Sequence, residues 1–175
     1  MEVKILNEAG YDEAIYGLSL SYNVTDMEKM KKVANNLAHK DGGHNKFLES
    51  IMLWVDVDAP RYWWSQMDTY RIGVTKQSES TMHTLLKREL ADEDFENPIN
   101  PVVLDTVNMF IRNKEFEMAK DHLPEGFLQQ RVICTSYKVL RNIIKQRHEH
   151  KLKTWNKFID EIYRQAKYSQ FLPIL

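Results

Sequence analysis

The segment Ser50–Asp58 constrains the fold more than any other part of this 175-residue sequence. Apolar residues occupy every second position from residue 51, and Met52 and Trp54 stand between the first of them. This alternation is typical of a β-strand, and the apolar residues on both faces near its start predict a strand that is covered on both sides. The longest purely apolar run, Ile51–Val55, has five residues, far fewer than the ~20 that a membrane span needs.

Helical spacing of apolar residues predicts most of the other elements. A short strand is expected at Met1–Leu6. The expected helices are Tyr11–Tyr22, a helix from the Thr25 and Glu28 capping box to Gly42 and Gly43, one from Pro60 to Gly73, one from Pro101 past Ile111, Lys138–His150 and Trp155–Ala166. The segment Val74–His83 is rich in Ser, Thr and Gln without clear periodicity and is predicted to be an ordered loop. The apolar tail Phe171–Leu175 needs a surface to pack against.

The composition fits one compact domain spanning residues 1–175. Hydrophobic residues make up 43% of the chain and include four Trp, eight Tyr and seven Phe, enough for a sizeable core. The polar N-terminus lacks the apolar segment of a signal peptide, and Cys134 is the only cysteine, which fits a reducing compartment. We therefore expect a soluble, cytoplasmic protein without an internal disulfide or a cysteine-rich zinc site.

Positive charge is concentrated near the C-terminus, although the net charge of the chain is −1. Between Arg131 and Lys157, eight Lys and Arg residues are opposed by one acidic residue, so this segment carries +7 and the rest of the chain −8. Such a segment could hold phosphate groups, and a solvated helix face is the plainer interpretation. A nucleic-acid interface is a weaker alternative, because the chain as a whole is not basic.

Arg147 stands out because it continues the apolar face of the predicted helix Lys138–His150. The other basic residues of this helix fall on a separate stripe, which contains Lys138, Arg141, Lys145 and His148. A buried guanidinium needs an anion or a carboxylate, because leaving it unpaired is strongly unfavourable. An arginine in the last turn of a helix can instead extend to water and interact with the helix dipole. The pattern alone leaves both interpretations open.

Common metal-binding and catalytic motifs are missing from the sequence. His148 and His150 point to different faces of a helix and form no spaced ligand set with His44, so no metal site is predicted. Neither G-x-G-x-x-G nor G-x-x-x-x-G-K-S/T is present, so side chains would have to hold any nucleotide. Serine, histidine and aspartate residues between positions 78 and 92 could be assembled into a triad, but nothing there resembles a nucleophile elbow.

Two stretches of the sequence follow the order and spacing of a known enzyme family. The first contains Gly43-His44-Asn45-Lys46-Phe47-Leu48-Glu49-Ser50, Ala59-Pro60, Gln66 and Tyr70-Arg71-Ile72-Gly73. The second contains Leu123-Pro124, Thr135, Leu140-Arg141-Asn142-Ile143-Ile144-Lys145-Gln146-Arg147 and Trp155. Together they resemble the G-H-x-x-x-x-E-H, R-H-R-x-x-S-x-N-x-x-S-x-R and L-R-x-x-x-x-x-R segments of the flavin-dependent thymidylate synthases. The resemblance touches most of the chain.

This resemblance implies a fold and a chemistry. The implied fold is α+β, with a central, mostly antiparallel sheet wrapped by helices, and the implied assembly is a homotetramer with sites built across subunits. The family uses FAD as cofactor, dUMP as substrate, methylenetetrahydrofolate as carbon donor and NADPH as a further co-substrate. By resemblance, the chain is a phage-like methyltransferase of nucleotide biosynthesis that acts on dUMP or a related nucleotide in a bacterial or virus-infected cell.

The resemblance also implies roles for individual residues. His44 and Arg71 match positions that contact the flavin, and Lys76 offers a cation to FAD or to the substrate phosphate in place of a family asparagine. Arg147 matches the arginine beside the pyrimidine ring and is the expected catalytic residue, which favours the inward, anion-facing interpretation of its position. The expected substrate-binding residues are Gln66, Gln77, Ser80, Arg131 and Arg147.

The R-H-R motif departs from the family at most of its positions. Tyr70 replaces its histidine, and only Arg71 is kept. In an ungapped alignment, Glu79 and Thr81 replace the serine and arginine that grip the substrate phosphate. A carboxylate about 4 Å from one phosphate charge would cost about 4 kcal/mol at an effective dielectric of about 20, although a one-residue shift would place Ser80 there instead. A catalytically altered or inactive homologue, binding nucleotide or serving as a structural protein, is therefore the alternative.

Overall fold

The computed structural model describes residues 1–40 and 42–175. Its strands are β1 (Glu2–Ala9), β2 (Met52–Pro60), β3 (Val74–Ser78) and β4 (Leu128–Ser136). They form one antiparallel sheet in the order β1-β2-β4-β3. The expected α+β fold, with a central sheet accompanied by helices, is confirmed.

Strand β2 shows the predicted alternation of burial. Leu53, Val55 and Val57 are at most 1% exposed, and the residues between them are half-buried. The strand lies between β1 and β4, so both of its edges are paired. A paired inner strand tolerates apolar residues on both faces, which explains the composition of this segment.

Eight α-helices occur in the part of the chain that the structure describes. They are α1 (Tyr11–Tyr22), α2 (Met27–Ala38), α3 (Arg61–Met67), α4 (Thr81–Thr84), α5 (Pro101–Arg112), α6 (Phe116–Asp121), α7 (Tyr137–Arg147) and α8 (Lys153–Gln165). Helix α1 has the predicted bounds, and α5 begins at the predicted proline. Among the described residues, no helix is both long enough and apolar enough to cross a membrane.

The segment Val74–His83 is not a loop, so that prediction was wrong. Its first five residues form β3, which pairs with β4 at the edge of the sheet, and α4 follows. Only Val74 is buried in this strand. An edge strand with both faces near water does not need alternating apolar residues, so hydrophobic periodicity could not reveal it.

Three predicted helix boundaries were also wrong. Helix α2 ends at Ala38 rather than at Gly42 and Gly43. Helix α3 ends at Met67 rather than at Gly73, which has a φ of 72° and belongs to the turn before β3. Helix α2 is capped by Asp26, whose side chain accepts a hydrogen bond from the Lys29 N–H, and not by Thr25. Both Thr and Asp are good N-cap residues, so composition does not decide between neighbouring candidates.

The chain divides into two compact units. The first unit comprises Met1–Glu2, Val57–Thr69 and Gln77–Arg131, and the second comprises Val3–Asp56, Tyr70–Lys76 and Val132–Leu175. The first unit has an apolar cluster that consists of Leu85, Leu90, Phe95, Val107, Ile111, Ala119 and Leu123. The expectation that the 175 residues make one domain stays a prediction.

The core of the second unit is rich in aromatic side chains. Trp155, Phe158 and Phe171 are at most 1% exposed. The Phe171 ring meets the Phe47 ring edge-on, with 5.6 Å between the centroids. The first three residues of the apolar C-terminal tail are buried and the last two are exposed. The predicted need of this tail for a packing surface is thus confirmed for its first half.

Candidate functional site

Helix α7 ends at Arg147, whose guanidinium lies against two aromatic rings of the second unit. Its Cζ atom is 4.9 Å from the ring centroid of Trp155 and 5.4 Å from that of Tyr70. Its Nε donates a hydrogen bond to the Tyr70 hydroxyl at 2.9 Å. Aromatic faces attract a guanidinium, which is planar and weakly hydrated. The half-buried Arg147 therefore points along the apolar face of α7, as its sequence position indicates.

The turn that carries Tyr70 is held against α7 by glycine geometry. Gly73 adopts a φ of 72°, which L side chains rarely adopt. A Cβ at this position would lie 2.8 Å from Cγ2 of Val139 on α7. The carbonyl oxygen of Gly73 accepts a hydrogen bond from Thr135 Oγ1 at 2.8 Å, and Lys76 Nζ donates to the carbonyl oxygen of Tyr70 at 2.9 Å. The turn is thereby closed on itself and packed on the helix that ends at the arginine.

The same turn carries exposed groups beside Tyr70. Arg71 is exposed, and Ile72 has 92% of its surface open to solvent. Lys76, which closes the turn, is half-buried. Arg71 and Ile72 in the turn, together with Lys76 on the strand that follows it, favour a ligand that is anionic and has an apolar part. We refer to Tyr70, Lys76, Gln146, Arg147 and Trp155 as the Arg147 cluster.

Arg141 does not lie on a solvent-facing stripe of α7, so this part of the helix prediction was wrong. It is 4% exposed, and its guanidinium donates to the carbonyl oxygen of Phe171. The chain after α8 covers a helix face that the local pattern assigns to water. Lys138 of the same stripe donates to the buried Asn45 side chain. Because these charges serve contacts within the protein, the basic segment does not form a uniform surface for nucleic acid.

His44 lines a cavity of about 300 Å³ in the second unit. Helix α1 forms one wall, and the residues that follow His44 form the other; the lining includes Ala14, Gly17, Leu18, Lys46 and Phe47. A Cβ at Gly17 would meet no atom within 4 Å, so this wall is open. Glu13, Ser21, Glu49 and Ser50 also line it, so its walls carry more polar and charged side chains than apolar ones.

Arg131 lies at the end of the first unit and is held by three neighbours. Its Nη1 donates to both carboxylate oxygens of Asp68, at 3.0 and 3.2 Å, and its Nη2 donates to Gln129 Oε1 at 2.8 Å. The guanidinium also lies over the ring of Trp64, with 4.5 Å from Cζ to the centroid. The indole of Trp64 is fixed by a hydrogen bond of 2.7 Å to the Gln129 carbonyl oxygen. The arginine is therefore preoriented and already paired with a carboxylate.

The other predicted substrate residues lie on different elements of the first unit. Gln66 is half-buried on α3, Gln77 is exposed on β3, and Ser80 is the exposed N-cap residue of α4. Thr81, which stands where the family motif has an arginine, accepts a hydrogen bond from Lys120 Nζ at 2.9 Å. The ammonium group of Lys120 on α6 therefore lies beside the position at which the family motif has an arginine.

Glu79 lines a second cavity of about 200 Å³, within the first unit. Its polar walls include Arg88 and Asp94, which form an ion pair of 2.7 Å between Nη1 and Oδ2. Although burial opposes its ionisation, hydrogen bonds from Arg88 and from the Ala91 N–H lower the pKa of Asp94. The Glu79 N–H donates to the Gln130 carbonyl oxygen at 2.9 Å, which extends the pairing of β3 with β4. This pairing fixes the backbone of Glu79.

Several residues around the predicted site were missed by sequence reasoning. Tyr70, Trp64 and Asp68 contact the predicted arginines directly but carry no spacing signal of their own. An aromatic residue next to an arginine that is predicted to bind a ligand can indicate such a contact, because guanidinium groups stack on aromatic rings. No group of three His, Cys, Asp or Glu side chains suited to a metal ion occurs among residues 1–40 and 42–175.

Comparison with known proteins gives a match in structure but not in sequence. No protein-family model matches the chain, and no curated protein matches it. A structure of the flavin-dependent thymidylate synthase ThyX from Helicobacter pylori, complexed with FAD and dUMP, matches with a TM-score of 0.84, 15% identity and 98% of both chains covered. A second ThyX structure from Helicobacter pylori with FAD and dUMP matches with a TM-score of 0.83, 15% identity and 98% and 97% coverage. This chain therefore has the fold of the flavin-dependent thymidylate synthases.

Proposed function

We propose that this chain is a divergent flavin-dependent enzyme that transfers a one-carbon unit to a pyrimidine deoxynucleotide, dUMP or a related nucleotide. The proposed cofactor is FAD, the carbon donor is methylenetetrahydrofolate, and NADPH is a further co-substrate. The observation that carries the proposal is the match over 98% of both chains to a structure that holds FAD and dUMP. The Arg147 cluster supports it, because it holds the expected pyrimidine-facing guanidinium on fixed aromatic rings.

Two of the residues expected to hold FAD, Arg71 and Lys76, fit such a ligand in charge, whereas the cavity beside His44 is also lined by the carboxylates of Glu13 and Glu49. The cavity beside His44, about 300 Å³, is at the low end of the range for small-molecule pockets, so it suits one moiety of FAD rather than the whole molecule. Arg71 and Lys76 offer cations to the anionic and carbonyl groups of the cofactor. When bound, FAD supplies the redox chemistry, and the chain supplies position and charge.

Substrate binding is proposed to use arginines that are already oriented. Arg147 would orient and polarise the pyrimidine ring, and Gln66 would donate or accept a hydrogen bond to the substrate. Arg131 would bind the phosphate by exchanging Asp68 for it, because a guanidinium forms charged hydrogen bonds with carboxylate and phosphate oxygens alike. Gln77 and Ser80 are proposed as further polar contacts of the nucleotide.

A homotetramer is the proposed assembly. Tyr16 and Leu20 lie one turn apart on α1 and are 60% and 64% exposed. Val102 on α5 is 72% exposed and Met82 is 73% exposed. Several large apolar side chains exposed to solvent are typical of surfaces that contact other chains.

The second candidate is a homologue that binds nucleotide without catalysing the transfer. Glu79 and Thr81 favour it, because the family places a serine and an arginine at these positions of the phosphate grip. The ammonium group of Lys120 beside Thr81 favours retained phosphate binding, since it brings back a positive charge. Both candidates predict nucleotide binding, and only the first predicts formation of a methylated product.

Thermal unfolding with candidate ligands tests the proposed function. FAD, and FAD together with dUMP, dCMP or dTMP, should raise the melting temperature, because ligands that bind the folded state stabilise it. Arg147→Ala should weaken nucleotide binding by about tenfold or more, because it removes charged hydrogen bonds to the ligand. Lys157→Ala is the matched control, since it removes an exposed cation from α8. No ligand-dependent shift, or equal losses in the two variants, would contradict the proposal.

A further inference from the structure

The Tyr70 hydroxyl joins two neighbouring residues of α7. It accepts a hydrogen bond from Arg147 Nε at 2.9 Å and donates one to Gln146 Oε1 at 3.0 Å. A guanidinium can only donate, and a phenol has one proton, so the direction of both hydrogen bonds is fixed. The Nε edge of Arg147 is therefore committed to Tyr70, and its Nη1 lies 3.4 Å from His150 Nε2.

Aromatic rings fix the plane of the same guanidinium. The ring of Trp155 is fully buried and contacts the Tyr70 ring edge-on, with 6.5 Å between the centroids. Arg147 lies near both rings, with its Cζ 4.9 Å from the Trp155 centroid and 5.4 Å from that of Tyr70. Two rings at an interplanar angle of 77° limit the tilt of the guanidinium. The hydroxyl and the rings together leave it little freedom to rotate.

The backbone of Tyr70 is anchored without any ligand. Its carbonyl oxygen accepts a hydrogen bond of 2.9 Å from Lys76, and the turn is held at Gly73 by Thr135 and Val139. The phenol is thus held on a fixed turn, and the guanidinium on the last turn of α7. The arrangement is preorganised in the sense that binding needs no new ordering of these groups.

We propose that Tyr70 is a positioning residue that orients Arg147 for recognition of the pyrimidine base rather than the phosphate. This inference rests on the proposed function, in which Arg147 meets the pyrimidine ring. With Nε held by Tyr70, a carbonyl oxygen of the base that takes the place of His150 would accept from a guanidinium whose plane is already fixed. Preoriented donors bind with a smaller loss of side-chain entropy than free ones, so the phenol raises affinity without touching the ligand.

Titration of variants tests this role. Tyr70→Phe keeps the ring and removes the hydroxyl, so it should weaken dUMP binding to the FAD-loaded protein by up to about tenfold, because the released guanidinium must then be ordered when the ligand binds. Deoxyribose 5-phosphate, which has no base, should bind equally to both proteins. In the Arg147→Ala background, Tyr70→Phe should cause no further loss, because the two residues act as one unit. Tyr22→Phe, at a tyrosine 50% exposed on α1, is the control and should leave both affinities unchanged.

The proton on Arg147 Nε gives a second readout that needs no ligand. In ¹H–¹⁵N spectra, this proton should exchange slowly with water in the wild-type protein and rapidly in Tyr70→Phe, with the melting temperatures nearly equal. Equal exchange in both proteins, or an undiminished effect of Tyr70→Phe on dUMP affinity in the Arg147→Ala background, would overturn the positioning role. A wild-type protein that binds no dUMP, but shows the slow Nε proton, would overturn the proposed function and the role in base recognition while leaving the orientation of Arg147 established.

Discussion

In the proposed function, Asp68 occupies the place on Arg131 that the substrate phosphate would take. Its two oxygens accept from one guanidinium nitrogen at 3.0 and 3.2 Å, and the ring of Trp64 supports the guanidinium from one side. An arginine that is both stacked and paired is already oriented, so substrate binding exchanges one anion for another. This exchange makes the carboxylate a competitor of the substrate phosphate.

Asp68→Asn should therefore strengthen the binding of dUMP. The expected gain is about threefold, because a half-exposed ion pair contributes up to about 1 kcal/mol. Calorimetric titration measures the affinity, and Asp160→Asn, at an exposed position of α8, is the matched control. Weaker dUMP binding in Asp68→Asn would mean that Arg131 does not take the phosphate.

Arg147 and Arg141 differ in how far the sequence reveals their environment. The pattern of α7 leaves the environment of Arg147 open, and the guanidinium lies against the rings of Trp155 and Tyr70. Arg141 looks solvent-facing from the same pattern, yet it is 4% exposed because the chain near Phe171 returns over the helix. A helical pattern reports the neighbours three and four residues away, and a covering segment 30 residues later lies beyond it.

At the scale of elements, the turn between α3 and β3 places the Arg147 cluster. Its geometry depends on Gly73, at which a Cβ would come within 2.8 Å of Val139 Cγ2 and for which a φ of 72° is strained in any L residue. The sequence shows the glycine but assigns it to a helix end. Only the hydrogen bond from Thr135 and the contact with α7 show that this glycine fixes the turn.

Gly73→Ala should destabilise the fold by about 1–3 kcal/mol, since an L residue in this region is strained and the added methyl group clashes. Chemical denaturation measures the loss in the free energy of unfolding. Val139→Ala removes the methyl groups that clash. In this background, Gly73→Ala should therefore lower the free energy of unfolding by less than it does in the wild type. Gly126→Ala is the control, because a Cβ there would meet no atom within 4 Å. Equal effects at the two glycines would contradict this account.

A buried tyrosine at the start of α7 links three segments of the second unit. The Tyr137 hydroxyl donates to Glu8 Oε1 at 2.5 Å and accepts from the Tyr168 N–H at 3.3 Å. Burial raises the pKa of Tyr137 above its ordinary value of 10.0, and the hydrogen bond to Glu8 raises it further. The stabilisation is complete below about pH 10 and is lost as the pH rises above the unfolded-state pKa.

Tyr137→Phe should reduce the fall in the free energy of unfolding that occurs at alkaline pH. At neutral pH, the variant should be less stable by about 1 kcal/mol, the usual contribution of a hydrogen bond. Between about pH 9 and about pH 11, its free energy of unfolding should fall less steeply than that of the wild type. Urea denaturation across this range measures the slope, with Tyr22→Phe, 50% exposed on α1, as the control. Parallel slopes in wild type and Tyr137→Phe would contradict the assignment.

At the scale of the whole molecule, strong local patterns were predictable and contacts between distant segments were not. The inner strand β2 and helices α1, α5 and α8 follow from alternation and helical spacing, because each buries a regular face. The polar edge strand β3 and the covered face of α7 do not, because their surroundings depend on strand pairing and on the C-terminal chain. Tyr70 likewise looks like a lost motif residue in sequence, and only the hydrogen bond to Arg147 gives it a role.

The full-length fold match and the placement of Arg147 make nucleotide and flavin binding the central claim. An absorbance titration of purified protein, with FAD first and dUMP second, tests it most directly. We expect the protein to bind FAD, and dUMP to perturb the flavin spectrum in the wild type but not, at the same concentration, in Arg147→Ala. A colourless protein that takes up no added FAD, or a flavin spectrum that responds to dUMP equally in both proteins, would contradict the account.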